Sequence, residues 1–219
     1  MGLTRSQFAE AIAASNSLIE EIIDFVAKLA PERSRSDIYW AMVPLDLLAW
    51  ARAARAEKLD LDPAVETEVG QALVSAHIGR YLKLAAGPHP DTDLLALELA
   101  KKLSILLRVW NENQESPPSP HWYVGKEVTF WLTGDRSDPN LINYFGGIMS
   151  EWTISLVEAV EKCKRESLLS DSFFRGGGQA PEATAHQTIT PDNYPNLTTS
   201  FSVHSGSSTL FGSRFPVTL

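Results

Sequence analysis

Cysteine is almost absent: Cys163 is the only one in 219 residues. No disulfide can form within the chain, and no zinc site can be built on paired thiolates. Long apolar runs are missing as well. No stretch approaches 18 consecutive apolar residues, so no membrane-spanning helix is expected. The segment Met1 to Ala14 lacks the apolar run of a secretory leader, and without one the sequon Asn196-Leu197-Thr198 reads as chance. The five histidines, His77, His89, His121, His186 and His204, include no pair four residues apart, and no Glu-x-x-His occurs. The helical zinc and carboxylate-bridged iron patterns are therefore both excluded.

Other candidates for chemistry are thin. Gly176-Gly177-Gly178 lacks the lysine and the strand-turn-helix setting of a phosphate loop and reads as a hinge. Cys163 falls on the apolar face of its helix as a small core residue. His77 sits mid-helix beside small residues, where a packed or half-exposed histidine is commoner than a ligand. Glu20, Glu21 and Asp24 make a solvated acidic stripe. No enzyme active site, cofactor or metal is expected. An active site scattered too widely for motif reading is the one enzymatic alternative.

What is present is helix. Hydrophobic residues make up 44% of the chain, enough for a core. Thr4 with Gln7, and Ser17 with Glu20, have capping-box spacing, and Leu18, Ile22, Phe25, Val26 and Leu29 share one helical face before Pro31. A segment from Ser36 or Asp37 through Trp50 contains Pro44, which predicts a kink or two short helices. Asp62-Pro63 and Asp138-Pro139 are helix starts and Gly87-Pro88 a stop. Another helix begins near Asp91 or Thr92 and carries Leu95, Leu99, Leu103, Leu106 and Trp110. Residues 111–122 read as a proline-rich loop. Val124 to Leu132 alternates like a strand, but a lone strand has no partner, so helix is preferred. The helix after Asp138 is expected to break or bend at Gly146-Gly147 and to continue through Ile148, Trp152, Leu156, Val160 and Cys163. The fold class is all-α: a bundle-like core over 1–175, followed by an extended C-terminal arm over 176–219.

That arm changes composition abruptly. It holds three charged side chains, Glu182, Asp192 and Arg214, among Gly, Ser, Thr, Asn and Pro. Apolar beads at Tyr194, Leu197, Phe201, Val203, Leu210, Phe211, Phe215, Val217 and Leu219 suit a segment that docks extended on a surface, ahead of the blander reading of a floppy terminus with scattered apolar residues. Fully stretched, it would reach about 145 Å at ~3.3 Å per residue.

The net charge of -8 argues against broad attraction to nucleic acid. Local basic residues recur nonetheless: Arg52, Arg55 and Lys58 on one helix, Arg80 and Lys83 on the next, then Lys101, Lys102 and Arg108. Three neighbouring helices could build a groove that tracks phosphates. On charge alone, a solvated face among acids such as Glu57 and Glu98 is the plainer reading.

One pattern tips that balance. Leu106-Leu107-Arg108-Val109-Trp110-Asn111, then Pro117-Pro118 and Trp122, resembles the coat proteins of flexuous filamentous plant viruses of the potexvirus type. Further on, Leu141-Ile142-Asn143-Tyr144-Phe145-Gly146-Gly147-Ile148-Met149 is similar to that family's phenylalanine-rich block. The resemblance covers about a fifth of the chain, with both blocks in the family's order. The sequence departs from it at Asn143 and Gly146, where the family carries acids. It departs again at Leu103, where the family has an arginine and this chain has Lys102 one position earlier. The family's N-terminal arm is nearly missing.

The resemblance implies a virion protein of the host cytoplasm that assembles with itself into a filament and binds single-stranded RNA nonspecifically. Phosphate contacts would fall to Arg80, Lys83, Lys101, Lys102 and Arg108, with Asn143 at the position of the family's motif acid. Assembly would fall to the arm beads Tyr194, Leu197, Phe201, Val203, Leu210, Phe211 and Phe215. The alternative is a helical bacteriophage head, neck or tail component that binds protein partners only.

Overall fold

A computed structural model describes residues 2–14, 19–55, 59–85 and 90–175. The arm with its beads, the Ser17 cap, Lys58, His89 and the Gly87-Pro88 stop lie outside the described residues. Among those described there are seven α-helices: α1 (Arg5–Ala14), α2 (Ile19–Leu29), α3 (Arg35–Arg55), α4 (Pro63–Leu84), α5 (Thr92–Glu112), α6 (Pro120–Thr133) and α7 (Pro139–Arg165). A short 3₁₀ turn, Asp171–Phe173, follows. The only β pairing among the described residues is one isolated antiparallel bridge between Leu61 and Phe174.

Local chemistry sets most helix starts. Thr4 and Gln7 form the reciprocal capping box: the Gln7 amide N–H donates to Thr4 Oγ1 at 3.2 Å, and the Thr4 N–H to Gln7 Oε1 at 2.9 Å. Asp62, Asp91 and Asp138 each accept from amides of the first turn, and Pro63 and Pro139 occupy first-turn positions where a missing N–H costs nothing. Residues 120–133 are helical, ended by Gly134 in the left-handed conformation at φ 79°.

Helix α3 is the axis of the core. From Ile38 to Trp50 every residue is buried, with α2, α4, α5, α6 and α7 packed around it. This explains the first correction, which concerns the two short helices expected as the alternative to a kink: α3 runs through Pro44 as one helix. Proline costs about 3 kcal/mol in a helix interior, but the helices packed on every side of α3 outweigh that local penalty. The second correction concerns the interruption expected, as the alternative to a bend, at Gly146-Gly147: α7 passes through without a break. The third is the proline-rich loop, shortened to 113–119 by α5 reaching Glu112 and α6 opening at Pro120.

Past α7 the chain turns back to the start of the fold. The Leu3 N–H donates to Leu168 O at 2.8 Å, Asp62 N–H to Phe173 O at 2.8 Å, and Arg175 N–H to Asp60 O at 2.9 Å. Phe173 is buried edge-on to Phe8, ring centroids 5.6 Å apart.

Candidate functional site

Helices α6 and α7 share the most extensive packing in the core, and two glycines make it possible. A Cβ on Gly125 would lie 2.1 Å from Ile142 O, and one on Gly146 would lie 2.8 Å from His121 O. Neither position has room for a side chain, so the backbones approach closely. Where the helices part, an open cleft of about 260 Å³ is lined by Pro118, Ser119, His121, Trp122, Asn143, Gly146, Gly147 and Ser150. Pockets for drug-sized ligands run to about 300–1,000 Å³, so this one suits a single ring or side chain.

The lead-in to α6 is held locally. Ser119 Oγ accepts from the Trp122 N–H at 3.3 Å, and Tyr123 Oη donates to Pro117 O at 3.0 Å. Behind the cleft the His121 ring meets Trp110 edge-on at 4.9 Å, and the Arg52 guanidinium covers Trp110 at 4.0 Å. Burial, and then the Arg52 charge, hold the His121 imidazole below its ordinary value. Lys126 Nζ lies 5.0 Å from the centre of the Trp122 ring. The lining itself carries no carboxylate, lysine or arginine.

The basic candidates lie elsewhere, on α4 and α5. Arg80 is half-buried over the Tyr39 ring at 5.9 Å. Lys102 pairs with Glu98 at 2.7 Å and sits near the rings of Trp131 and Trp40, while Trp40 Nε1 donates to Glu98. Both therefore serve inter-helix packing. Lys83, Lys101 and Arg108 are exposed, the last two seven residues apart on one face of α5. Asn143 is exposed on α7, in the cleft. Arg52 turns inward to Trp110, and Arg55 is half-buried within electrostatic reach of the Glu66 carboxylate.

Two polar clusters, the first buried and the second partly so, escaped sequence reasoning. Tyr39 Oη, His77 and Asp46 form a chain across α3 and α4, with Oη 2.6 Å from Nδ1 and Nε2 2.8 Å from Asp46 Oδ2. A carboxylate can only accept, so Nε2–H donates to Asp46, and Tyr39 O–H completes the chain at Nδ1. The second cluster joins Glu66 to Arg175, whose Nη2 donates at 2.8 Å and whose Nε donates to Leu61 O at 3.0 Å. Burial raises the Glu66 carboxyl above its usual range despite Arg175 and Arg55. An aspartate inside the apolar run Val43 to Leu48 was the available signal for the first. Nothing local announced the second.

Cys163 is half-buried against the core, and burial raises its thiol. Among the described residues no group of three or more His, Cys, Asp or Glu is arranged to hold a metal, and no helix is long and apolar enough to cross a membrane. No protein-family model, curated protein or solved structure matches the chain.

Proposed function

We propose that this chain is a structural subunit that assembles with copies of itself through its C-terminal arm and coats single-stranded RNA, as a flexuous viral coat protein does. One observation carries the reading. The two sequence blocks behind the family resemblance, some twenty residues apart, meet at the α6–α7 crossing: Pro118 and Trp122 come from the first, Asn143, Gly146 and Gly147 from the second. Within the second block, Gly146 has a steric role at that crossing.

The exposed cations Lys83, Lys101 and Arg108 contact phosphates in this reading, and Arg80 and Lys102 support them from partly buried positions. A subunit of net charge -8 coats RNA when lateral protein contacts supply most of the energy. Electron microscopy of protein purified from cells, with the 260/280 nm absorbance ratio, tests it. Filaments rich in nucleic acid are expected, and truncation at Gly176 leaves folded monomers. Polymers that persist after truncation overturn the role of the arm.

The phage-type alternative, binding protein partners only, is favoured by the engagement of Arg80 and Lys102 inside the helical packing. Rings or closed particles with a protein-only ratio select it.

A further inference from the structure

The outer face of α7 carries a glycine that its own fold does not require. Gly125 and Gly146 are needed for close helix packing, but a Cβ on Gly147 would meet nothing within 4 Å. Glycine is unfavourable in a helix interior, so a bare exposed backbone here points to a close approach from outside. Asn143, Gly147, Ser150 and Ile154 follow one another at steps of four, three and four residues and form a single line along the helix. Ile154 at its end is 56% exposed.

This line has an aromatic flank on each side. Towards α6 lies the cleft with His121 and Trp122. Towards α2, the Phe25 ring lies 4.5 Å from the Tyr144 ring, tilted by 40°, and Phe25 and Leu29 are 42% and 44% exposed although both belong to an amphipathic helix. A buried helix edge would not leave two large apolar side chains so open.

We infer that this face is the docking site of the chain's own arm, residues 209–217, laid extended across α7 with one phenylalanine ring in the α6–α7 cleft and another against Phe25 and Leu29. The inference rests on the assembly reading above and deepens it by naming the surface. Three features select this occupant. The cleft lining holds no carboxylate, lysine or arginine, and 209–217 carries one charge, Arg214, so neither partner must strip a cluster of ions on contact. On an extended strand Phe211 and Phe215 share a side and lie about 13 Å apart, close to the ~10–12 Å width of the helix between the two flanks.

Reach is the third. The chain leaves the core at Arg175, and 44 residues follow, spanning up to about 145 Å when extended. A core of this size is about 40 Å across. The arm therefore reaches the α7 face of its own subunit or of a neighbour, and Asn143 and Ser150 supply amide and hydroxyl partners for its backbone.

The test places a photo-crosslinking phenylalanine analogue at position 154 or 25 of the full chain and maps the products by mass spectrometry in a mixture of isotopically light and heavy protein. Crosslinks to 209–217 are expected, falling at least fivefold in Gly147→Gln, whose side chain covers the bare backbone, and in Phe211→Ser/Phe215→Ser. Thermal unfolding of Gly147→Gln at or above the parent midpoint confirms that the loss is not misfolding. Crosslinks to core helices of a second copy, to bound nucleic acid, or to nothing overturn the docking site and leave the assembly reading standing. Crosslinks to the arm only within one copy uphold the docking site and defeat assembly through the arm.

Discussion

His77 and Asp46, thirty-one residues apart, face each other across α3 and α4 with 2.8 Å between Nε2 and Oδ2. They are 5% and 1% exposed, and Tyr39 closes the chain at the far nitrogen. Removing His77 takes a buried hydrogen-bond partner from both Tyr39 and Asp46. His77→Ala is expected to destabilise the protein by about 3 kcal/mol, read from the urea midpoint. Asp46→Leu/His77→Leu should cost less than the sum of the two single changes, because the hydrogen bond the two side chains share is lost only once. Strict additivity would mean that the two side chains do not interact.

The two glycine types separate in opposite directions. Gly125→Ala drives a methyl onto the Ile142 carbonyl, and backbone must move; a loss of more than about 4 kcal/mol or failure to accumulate folded protein is expected. Gly147→Ala places its methyl in open space and should gain about 0.8–1 kcal/mol in helix propensity. Thermal unfolding of the pair checks both signs in one experiment.

Which parts of this were legible beforehand follows from how far each cause lies from its effect. Asp62, Asp91 and Asp138 announce helices because a cap acts on amides two or three residues away. Pro44 suggests two short helices for the opposite reason: its local penalty is visible, while the helices that hold α3 together come from distant stretches. The proline cluster and Trp122 were visible as a block, and so was Asn143 with its glycines. Their meeting was not, since it depends on Gly125 lying against Ile142. Arg80 and Lys102 looked equal to Lys83 and Lys101 by spacing. Only Tyr39 and Glu98, contributed by other turns of structure or other helices, distinguish them.

The cleft also carries a pH signature. Burial and Arg52 hold the folded-state value of His121 below 6.5. A depressed value means that this histidine's contribution is fully present above about pH 6.5 and is lost as pH falls through the folded value. The urea midpoint of the parent should therefore drop more between pH 7 and pH 5 than that of His121→Asn. Equal drops would show that the imidazole does not report its burial.

RNA binding makes a quantitative claim. If Lys101 and Arg108 each neutralise one phosphate, Lys101→Ala/Arg108→Ala should flatten the slope of log affinity against log salt by about 1.4, at ~0.7 per contact for single strands. Lys102→Ala should instead lower thermal stability through loss of its place beside Glu98, Trp40 and Trp131. Fluorescence anisotropy with a labelled oligonucleotide at several salt concentrations measures the slopes.

The pairing of residues 60–62 with 173–175 has a mechanical meaning. Tension applied to the arm enters the core at Arg175, where its amide holds Asp60 and its guanidinium holds Leu61 and Glu66. Behind it Phe173 is wedged beside Phe8. The load is thus shared with α1 and the foot of α4 before it reaches the end of α7, much as a cable clamp spares the joint behind it. A chain pulled from Arg175 can yield at that clamp while α7, the longest of the described helices, stays wound.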